Sequence, residues 1–354
     1  MSPEYVLSLV VVFAVGLVVT ILLTLVARWV GFRFDMVDRP GGRRAHQGVI
    51  PRLGAIPLWG AFTVAALIAQ FLPVPSADPN EGTRLFGLLV GGTFIFAFGL
   101  IDDKFDLPWY VQIVGQVVAA LIGIFALIFI ERINNPLTGE TIIWPFFVTL
   151  PVSLFWLLLM MNTANFLDGS DGLAGGVILI GATLLFIHTA KEMQHSVSLL
   201  PMALMGTMLG FLIFNWHPAK IFMGSGAVYI GYVIGALSII GGAKMATILL
   251  VMGLPLLDVA WQVARRLAER RNPLKGDRGH IHFRLIDLHV SPTALALGYH
   301  AFCTGFGLLA LLTTSRQFKF VALVVMVVLV IIGFAFVDWR DRRLHTPAAS
   351  SEKS

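Results

Sequence analysis

The sequence predicts an all-α polytopic membrane protein of about 11 transmembrane helices, N-terminus outside and C-terminus in the cytoplasm. Three observations predict it. Hydrophobic residues make up 57% of the 354 residues and charged residues only 13%, with a mean hydropathy of +0.84. The apolar residues fall into long charge-free runs, which a water-soluble domain does not need. The polar and basic stretches between those runs concentrate on one side of the implied membrane.

Taken in order, the spans are expected near 5–28, 53–73, 85–101, 110–130, 143–161, 172–190, 197–214, 226–243, 245–264, 293–314 and 318–338. The run from Met1 to Arg28 has no basic n-region and no small-residue cleavage site, so it reads as a retained first span. The third run is short, and only Gly241, Gly242, Ala243 and Lys244 separate the eighth from the ninth. Residues 1–344 read as one integral-membrane domain and 345–354 as a polar tail. With the loop after the first span placed inside, nineteen of the 25 Lys and Arg residues fall inside and six outside. The pI near 9.6 therefore points to anionic lipid and an anionic substrate rather than to nucleic acid. Cys303 is the only cysteine, so no intramolecular disulfide forms, and its place in an apolar run suits packing.

The inside loops hold the unusual polar stretches. Arg43, Arg44, His46 and Arg52 lie in the first, Asp102-Asp103-Lys104-Phe105-Asp106 in the second, and Asn162 to Ala174 in the third. Asn215 to Lys220 fill the fourth, and Gly279-His280-Ile281-His282-Phe283-Arg284 the fifth. Between 162 and 174, two amides, two carboxylates and glycines meet a membrane edge, where polar groups need water, partners or a ligand. Hard carboxylate oxygens suit Mg²⁺; an interhelical turn with an Asp cap is the plainer alternative. Asp102 and Asp103 repel each other, which favours a nearby cation or a raised pKa for one. Such a pair serves as a metal site or a base, or else as a solvated helix end with Lys104 as partner.

His280 and His282, with Arg278 and Arg284, are expected to form a cationic patch that could grip a diphosphate. Zinc is not expected, because no cysteine joins them. Arg43, Arg44, His46, Arg52 and Lys220 could each be a plain orientation signal. Asp258 is an intramembrane acid, functional by default or paired with Arg265 at a helix end. Acidic groups, basic loops and a bilayer together suit metal-assisted phosphoryl transfer to a lipid partner.

These stretches resemble the polyprenyl-phosphate N-acetylhexosamine-1-phosphate transferases, glycosyltransferase family 4, in the branch of WecA and TagO rather than MraY. The matching pieces are Asp38-Arg39-Pro40 to Arg44, His46, Pro51 to Gly54, Asp102 to Leu107, Asn162 to Ala174, Phe214-Asn215, Phe222-Met223-Gly224 and Asp277 to Leu285. The resemblance implies transfer of a sugar phosphate, GlcNAc-1-phosphate above others, from a UDP-N-acetylhexosamine to undecaprenyl phosphate, releasing UMP and initiating cell-envelope glycan synthesis. It implies Mg²⁺, with Mn²⁺ as a substitute, and an active site on the cytoplasmic face of a bacterial inner membrane. A homodimer is compatible with it. Carried over, Asp102, Asp103 and Asp171 are catalytic, and Asn165 and Asp171 contact the metal. Arg44, His46, Asn162, Asp168, Lys220, His280, His282 and Arg284 bind substrate.

Three departures stand out. After Phe222-Met223-Gly224 the family has an Asp, and here Gly224 runs directly into Ser225-Gly226, so that principal metal ligand is deleted. Its loss is expected to cost roughly a hundredfold or more in metal affinity. Gln112 stands where the family has a basic residue, and Phe283 where it has a further histidine. A weakened or silent homologue is thus the alternative to the enzyme, and a transporter the remote one.

Overall fold

The computed structural model describes residues 2–40, 48–76, 78–135, 138–242, 245–270, 279–313 and 315–345. Each apolar run becomes helix. Helix α1 (Pro3–Arg33) starts at Ser2, whose side chain caps Tyr5 N–H at 3.2 Å. Strands β1 (Val37–Asp38) and β2 (Ile50–Pro51) pair antiparallel before α2 (Ala55–Ala69). Helices α3 (Glu81–Phe105) and α4 (Trp109–Phe125) follow, then a hairpin of β3 (Arg132–Asn134) and β4 (Thr141–Ile143). Helices α5 (Phe146–Leu167), α6 (Leu173–Lys191), α7 (His195–Asn215) and α8 (Gly226–Ile240) form the middle of the chain. After them come α9 (Met245–Val251), α10 (Gly253–Ala268), the short α11 (Ile281–Asp287), α12 (Pro292–Leu312) and α13 (Arg316–His345).

Among the described residues, seven helices are long and apolar enough to cross a bilayer, or eight if α9 and α10 are one span. Three shorter apolar helices, α2, α4 and α8, add to these. The ninth run, expected as one straight helix, is instead bent by 75° between α9 and α10. Gly253 weakens the helix at that point, and Pro255, lacking an N–H, cannot close the turn back to Val251.

Helix α8 is the buried centre, with Tyr229, Tyr232 and Val233 at most 1% exposed. Tyr232 donates to Gly87 O on α3 at 2.9 Å, and Trp156 on α5 donates to Ser238 at 3.0 Å and to Gly235 O at 3.2 Å. Around it, α1 lies against α7 where Gly16, Gly206 and Gly210 let the backbones approach, as small residues do between membrane helices. Many apolar side chains of α1 and α13, among them Leu7, Leu22, Val325 and Ile332, face outward, as lipid-facing surfaces must.

Candidate functional site

The site assembles at one end of the bundle, from the C-terminal ends of α3, α5 and α7 and the N-terminal ends of α4, α6, α8 and α11. Asp102 and Asp103 sit in the last turn of α3, which Asp106 ends in the left-handed conformation, with φ 51°. Asp102 Oδ1 accepts from Leu107 N at 3.0 Å and from Gln112 Nε2 at 3.1 Å. Gln112 also donates to Leu107 O, so this amide shapes the α3–α4 turn as well as touching the acid. The Asp103 side chain is only 3% exposed, and its two oxygens lie 3.2 and 3.0 Å from Ser225 N, the donor at the N-cap of α8. Gly224 turns the chain into that contact with φ +57°, and a Cβ there would stand 2.9 Å from Asp103 Oδ2. That close approach and the positive φ together explain why glycine occupies this point.

Among the described residues, Arg52 is the cation set against the α3 acids. It lies 3.6 Å from Asp103, and its charge also reaches Asp102 and Asp168. Its backbone is held on both sides: Arg52 N donates to Met36 O at 3.1 Å, Phe222 N to Pro51 O at 2.9 Å and Gly54 N to Phe222 O at 3.0 Å. The segment between β2 and α2 is thereby stitched to the α7–α8 connection, opposite the α3 acids. In the sequence Arg52 is one of several basic residues that fit an orientation signal, and it is not among the residues the family resemblance assigns to the substrate. Arg44 and His46, which the resemblance does assign, lie outside the described residues.

The loop between α5 and α6 faces the same place. Asp168 caps α5, and burial holds its carboxyl well above the usual carboxylate range. Arg52 opposes that rise, while the charges of Asp171 and Asp103 add to it. Asp171 Oδ2 lies 2.8 Å from His217 Nδ1 and accepts from Ala219 N at 3.1 Å, one residue before the exposed Lys220. Asn215, 2% exposed, locks this corner: its Oδ1 accepts from Gly172 N at 3.2 Å and its Nδ2 donates to Ile221 O at 3.0 Å. Asn162 pairs across helices with Gln116 of α4, its Nδ2 donating at 2.6 Å. Asn165 is exposed near the end of α5.

The histidine segment differs from the expected cationic patch. His280 is 6% exposed and His282 1%, with ring centroids 5.6 Å apart. Burial holds the His282 imidazole below its ordinary value, against the pull of Asp258. Arg284 is directed to an ion pair with Asp338 on α13, and Arg278 lies outside the described residues. Asp258 does not pair with Arg265, whose Nε donates to Glu269 at 3.0 Å. Its carboxylate instead accepts from Ile281 N at 2.9 Å and lies 3.4 Å from Nδ1 of both His280 and His282.

Among the described residues, no group of three or more His, Cys, Asp or Glu side chains is arranged to hold a metal ion. The donors are nevertheless hard oxygens, and Asp103, Asp168 and Asp171 are close enough to feel one another's charge. Mg²⁺ typically uses one or two carboxylates and completes its shell with phosphate oxygens and water. The residues present fit such an ion as the companion of a bound diphosphate.

Comparison with known proteins gives the same direction. Residues 85–242 match the description "Glycosyl transferase family 4". A decaprenyl-phosphate N-acetylglucosaminephosphotransferase of Mycolicibacterium smegmatis is 31% identical over 316 residues, covering 80% of this chain and 78% of that protein. A Bacillus subtilis protein named "Probable undecaprenyl-phosphate N-acetylglucosaminyl 1-phosphate transferase" is 28% identical, over 82% of this chain and 81% of its own. A phospho-N-acetylmuramoyl-pentapeptide-transferase of Listeria monocytogenes is 30% identical over 66% of this chain and 75% of its own. Coverage of that extent, with acids, amides and histidines gathered at one end of a helical membrane bundle, places the chain in glycosyl transferase family 4, to which it belongs.

Proposed function

We propose that this protein transfers N-acetylglucosamine 1-phosphate from its UDP ester to a polyprenyl phosphate in a bacterial inner membrane. A phosphate oxygen of the lipid forms a bond to the sugar-bearing phosphorus, and the bond from that phosphorus to the UMP oxygen breaks. The observation that carries this reading is Arg52, set among Asp102, Asp103 and Asp168 at the membrane edge and 3.6 Å from Asp103. A cation set among several carboxylates is an arrangement for meeting phosphate and balancing the charge of its transfer.

In this mechanism Asp102, the less enclosed acid of the pair, orients the lipid phosphate and takes its remaining proton. Arg52 holds the same phosphate against the α3 terminus. Asp168 and Asp171, on a loop fixed by Asn215, position the nucleotide, and His282 closes over that loop. Asn165 and Asp171 are the residues that would hold Mg²⁺, which when bound neutralises the diphosphate charge. The one-sided Lys and Arg distribution supports a site that faces the cytoplasm. UMP release from UDP-N-acetylglucosamine by purified protein, dependent on both undecaprenyl phosphate and Mg²⁺, tests the proposal. No release above a lipid-free blank refutes it.

One observation favours a second reading, a weakened or silent family member. Gly224 leads straight into Ser225, whose amide occupies Asp103. Binding of UDP-N-acetylglucosamine without turnover would support that reading, and turnover comparable to a relative that carries the Asp would remove it.

A further inference from the structure

The sequence marks Asp258 as an intramembrane acid without saying what it does, and among the described residues its hydrogen-bond and ion-pair partners come from the segment His280–His282. Asp258 is 4% exposed, on the helix that follows the 75° bend. A carboxylate enclosed in a membrane bundle is costly unless hydrogen-bonded, and so the identity of its partners is informative. Asp258 Oδ1 accepts from Ile281 N, the first residue of α11, at 2.9 Å. Its Oδ2 takes His282 Nδ1 at 3.4 Å, and His280 Nδ1 lies the same distance away. One carboxylate therefore anchors both the start of α11 and the His282 ring.

The far side of that ring carries the second observation. His282 Nε2 is fully buried and has no hydrogen-bond partner among the described residues. It is pressed against the nucleotide loop: a Cβ on Gly169 would lie 2.5 Å from Nε2 and 2.7 Å from the Phe283 ring. Gly169 directly follows Asp168 and lies two residues before Asp171. Ser170 Oγ, next in the chain, is likewise buried without a partner. With Nδ1 directed at the carboxylate, the ring offers Nε2 to this loop.

We propose that Asp258 is a positioning residue of the transfer site, acting through His282 to hold the loop that carries Asp168 and Asp171. Nothing in Asp258 touches substrate; its effect travels from carboxylate to ring to the Gly169 backbone. The inference rests on the transferase reading for its consequence, but not for the contact itself. Asp258→Asn keeps an oxygen for Ile281 N and removes the anion that orients the ring. It is therefore the informative variant, and Asp258→Ala removes both.

Two measurements test this. In a double-mutant cycle on UMP release, Asp258→Asn is expected to lower kcat/KM at least tenfold, mostly in kcat. The same change in a His282→Ala background is expected to cost less than twofold, because the ring it acts through is gone. Equal losses in both backgrounds would overturn the proposal, since a purely structural acid would be additive. Hydrogen–deuterium exchange reads the anchor without any activity. Peptides covering residues 279–287 and 165–172 should both exchange faster in Asp258→Ala, and faster exchange in the first alone would overturn the link to the loop. If the unmodified protein releases no UMP, the transferase reading falls and the exchange experiment still decides the contact. Where Asp258→Ala does not fold, Gly169→Ala serves instead: pushing Nε2 away should accelerate exchange at 279–287, and unchanged exchange there would count against the proposal.

Discussion

Insertion of Asp between Gly224 and Ser225 is expected to tighten the metal requirement of the reaction about a hundredfold. At present Ser225 N lies 3.0 and 3.2 Å from the two oxygens of Asp103, a charge-assisted contact to the N-cap of α8. A hydrogen bond to a charged group contributes about 1.5–3 kcal/mol, which has to be given up before Asp103 can turn toward a phosphate. An inserted carboxylate would lie at the same helix N-terminus, where anions are favoured. A hundredfold change in affinity corresponds to about 2.8 kcal/mol, the same size as that one contact. The packing limits where the extra residue can go. Cβ atoms built on Gly99 and Gly226 would meet Ser225 Cβ at 2.5 Å and the Ala55 backbone at 2.9 Å. Helix α8 therefore keeps its place, and the connection from Trp216 to Gly224 must absorb the insertion. The assay is UMP release titrated with Mg²⁺, with insertion of Asn as a control of equal length and no charge. Half-saturation should fall for the Asp insertion and stay near the parent value for the Asn insertion. Equal effects of the two, or no shift in either, would refute the argument that this position lacks an anionic ligand.

Three further outcomes follow from the same geometry. Arg52→Ala strands the nearly buried Asp103, but Arg52 is 41% exposed and its charge is partly screened, so the expected loss is about 1–2 kcal/mol of stability with a far larger fall in kcat; thermal unfolding and UMP release separate the two. Asn215→Ala leaves Gly172 N–H and Ile221 C=O without partners, at about 1–3 kcal/mol each, and a melting temperature equal to the parent's would contradict it. Asp168 is raised above its ordinary 3.8 in the folded protein, so it contributes least cost to stability at low pH, and that advantage is lost as pH rises through the folded value. Asp168→Asn should accordingly raise the melting temperature of metal-free protein at neutral pH and have little effect near about pH 4, whereas a pH-independent difference would exclude the ionisation as its cause.

The helical architecture was legible because membrane helices are written in long apolar runs, and every such run folds as helix. The bend between α9 and α10 was also written, in Gly253 and Pro255, but the run's hydropathy hid it. The common end of the polar stretches was legible for the same reason as the helices: charged and amide residues collect where apolar runs stop. Individual partners were not. Asp258 sits seven residues before Arg265, two helical turns away on one face, and that local pair is the structural alternative the sequence offers to a functional acid. Its actual partners lie 22 to 24 residues later, beyond a segment whose path no periodicity encodes. Nor does composition distinguish an exposed histidine from one 1% exposed, and the histidine segment therefore looked cationic. Arg52 was obscured by company, since a cluster of basic residues in one inside loop resembles a topology signal. What singles it out is the backbone pairing of residues 51–54 with Phe222, a contact between segments more than a hundred and sixty residues apart.

The deletion after Gly224 shows why a missing residue cannot be valued from the sequence alone. Read as text, it subtracts one carboxylate. In the folded chain the residue that follows Gly224 is the N-cap of α8, and the amide of that Ser225 lies against Asp103. Of the two α3 acids, Asp103 is thus engaged with a helix N-terminus. Asp102 remains the accessible acid, tied to Leu107 N and Gln112 rather than to α8. Restoring the residue can act by either route: the new carboxylate takes the ion itself, or it takes over the helix end and frees Asp103. A companion Asp103→Asn substitution separates these, because it abolishes the gain only along the second route.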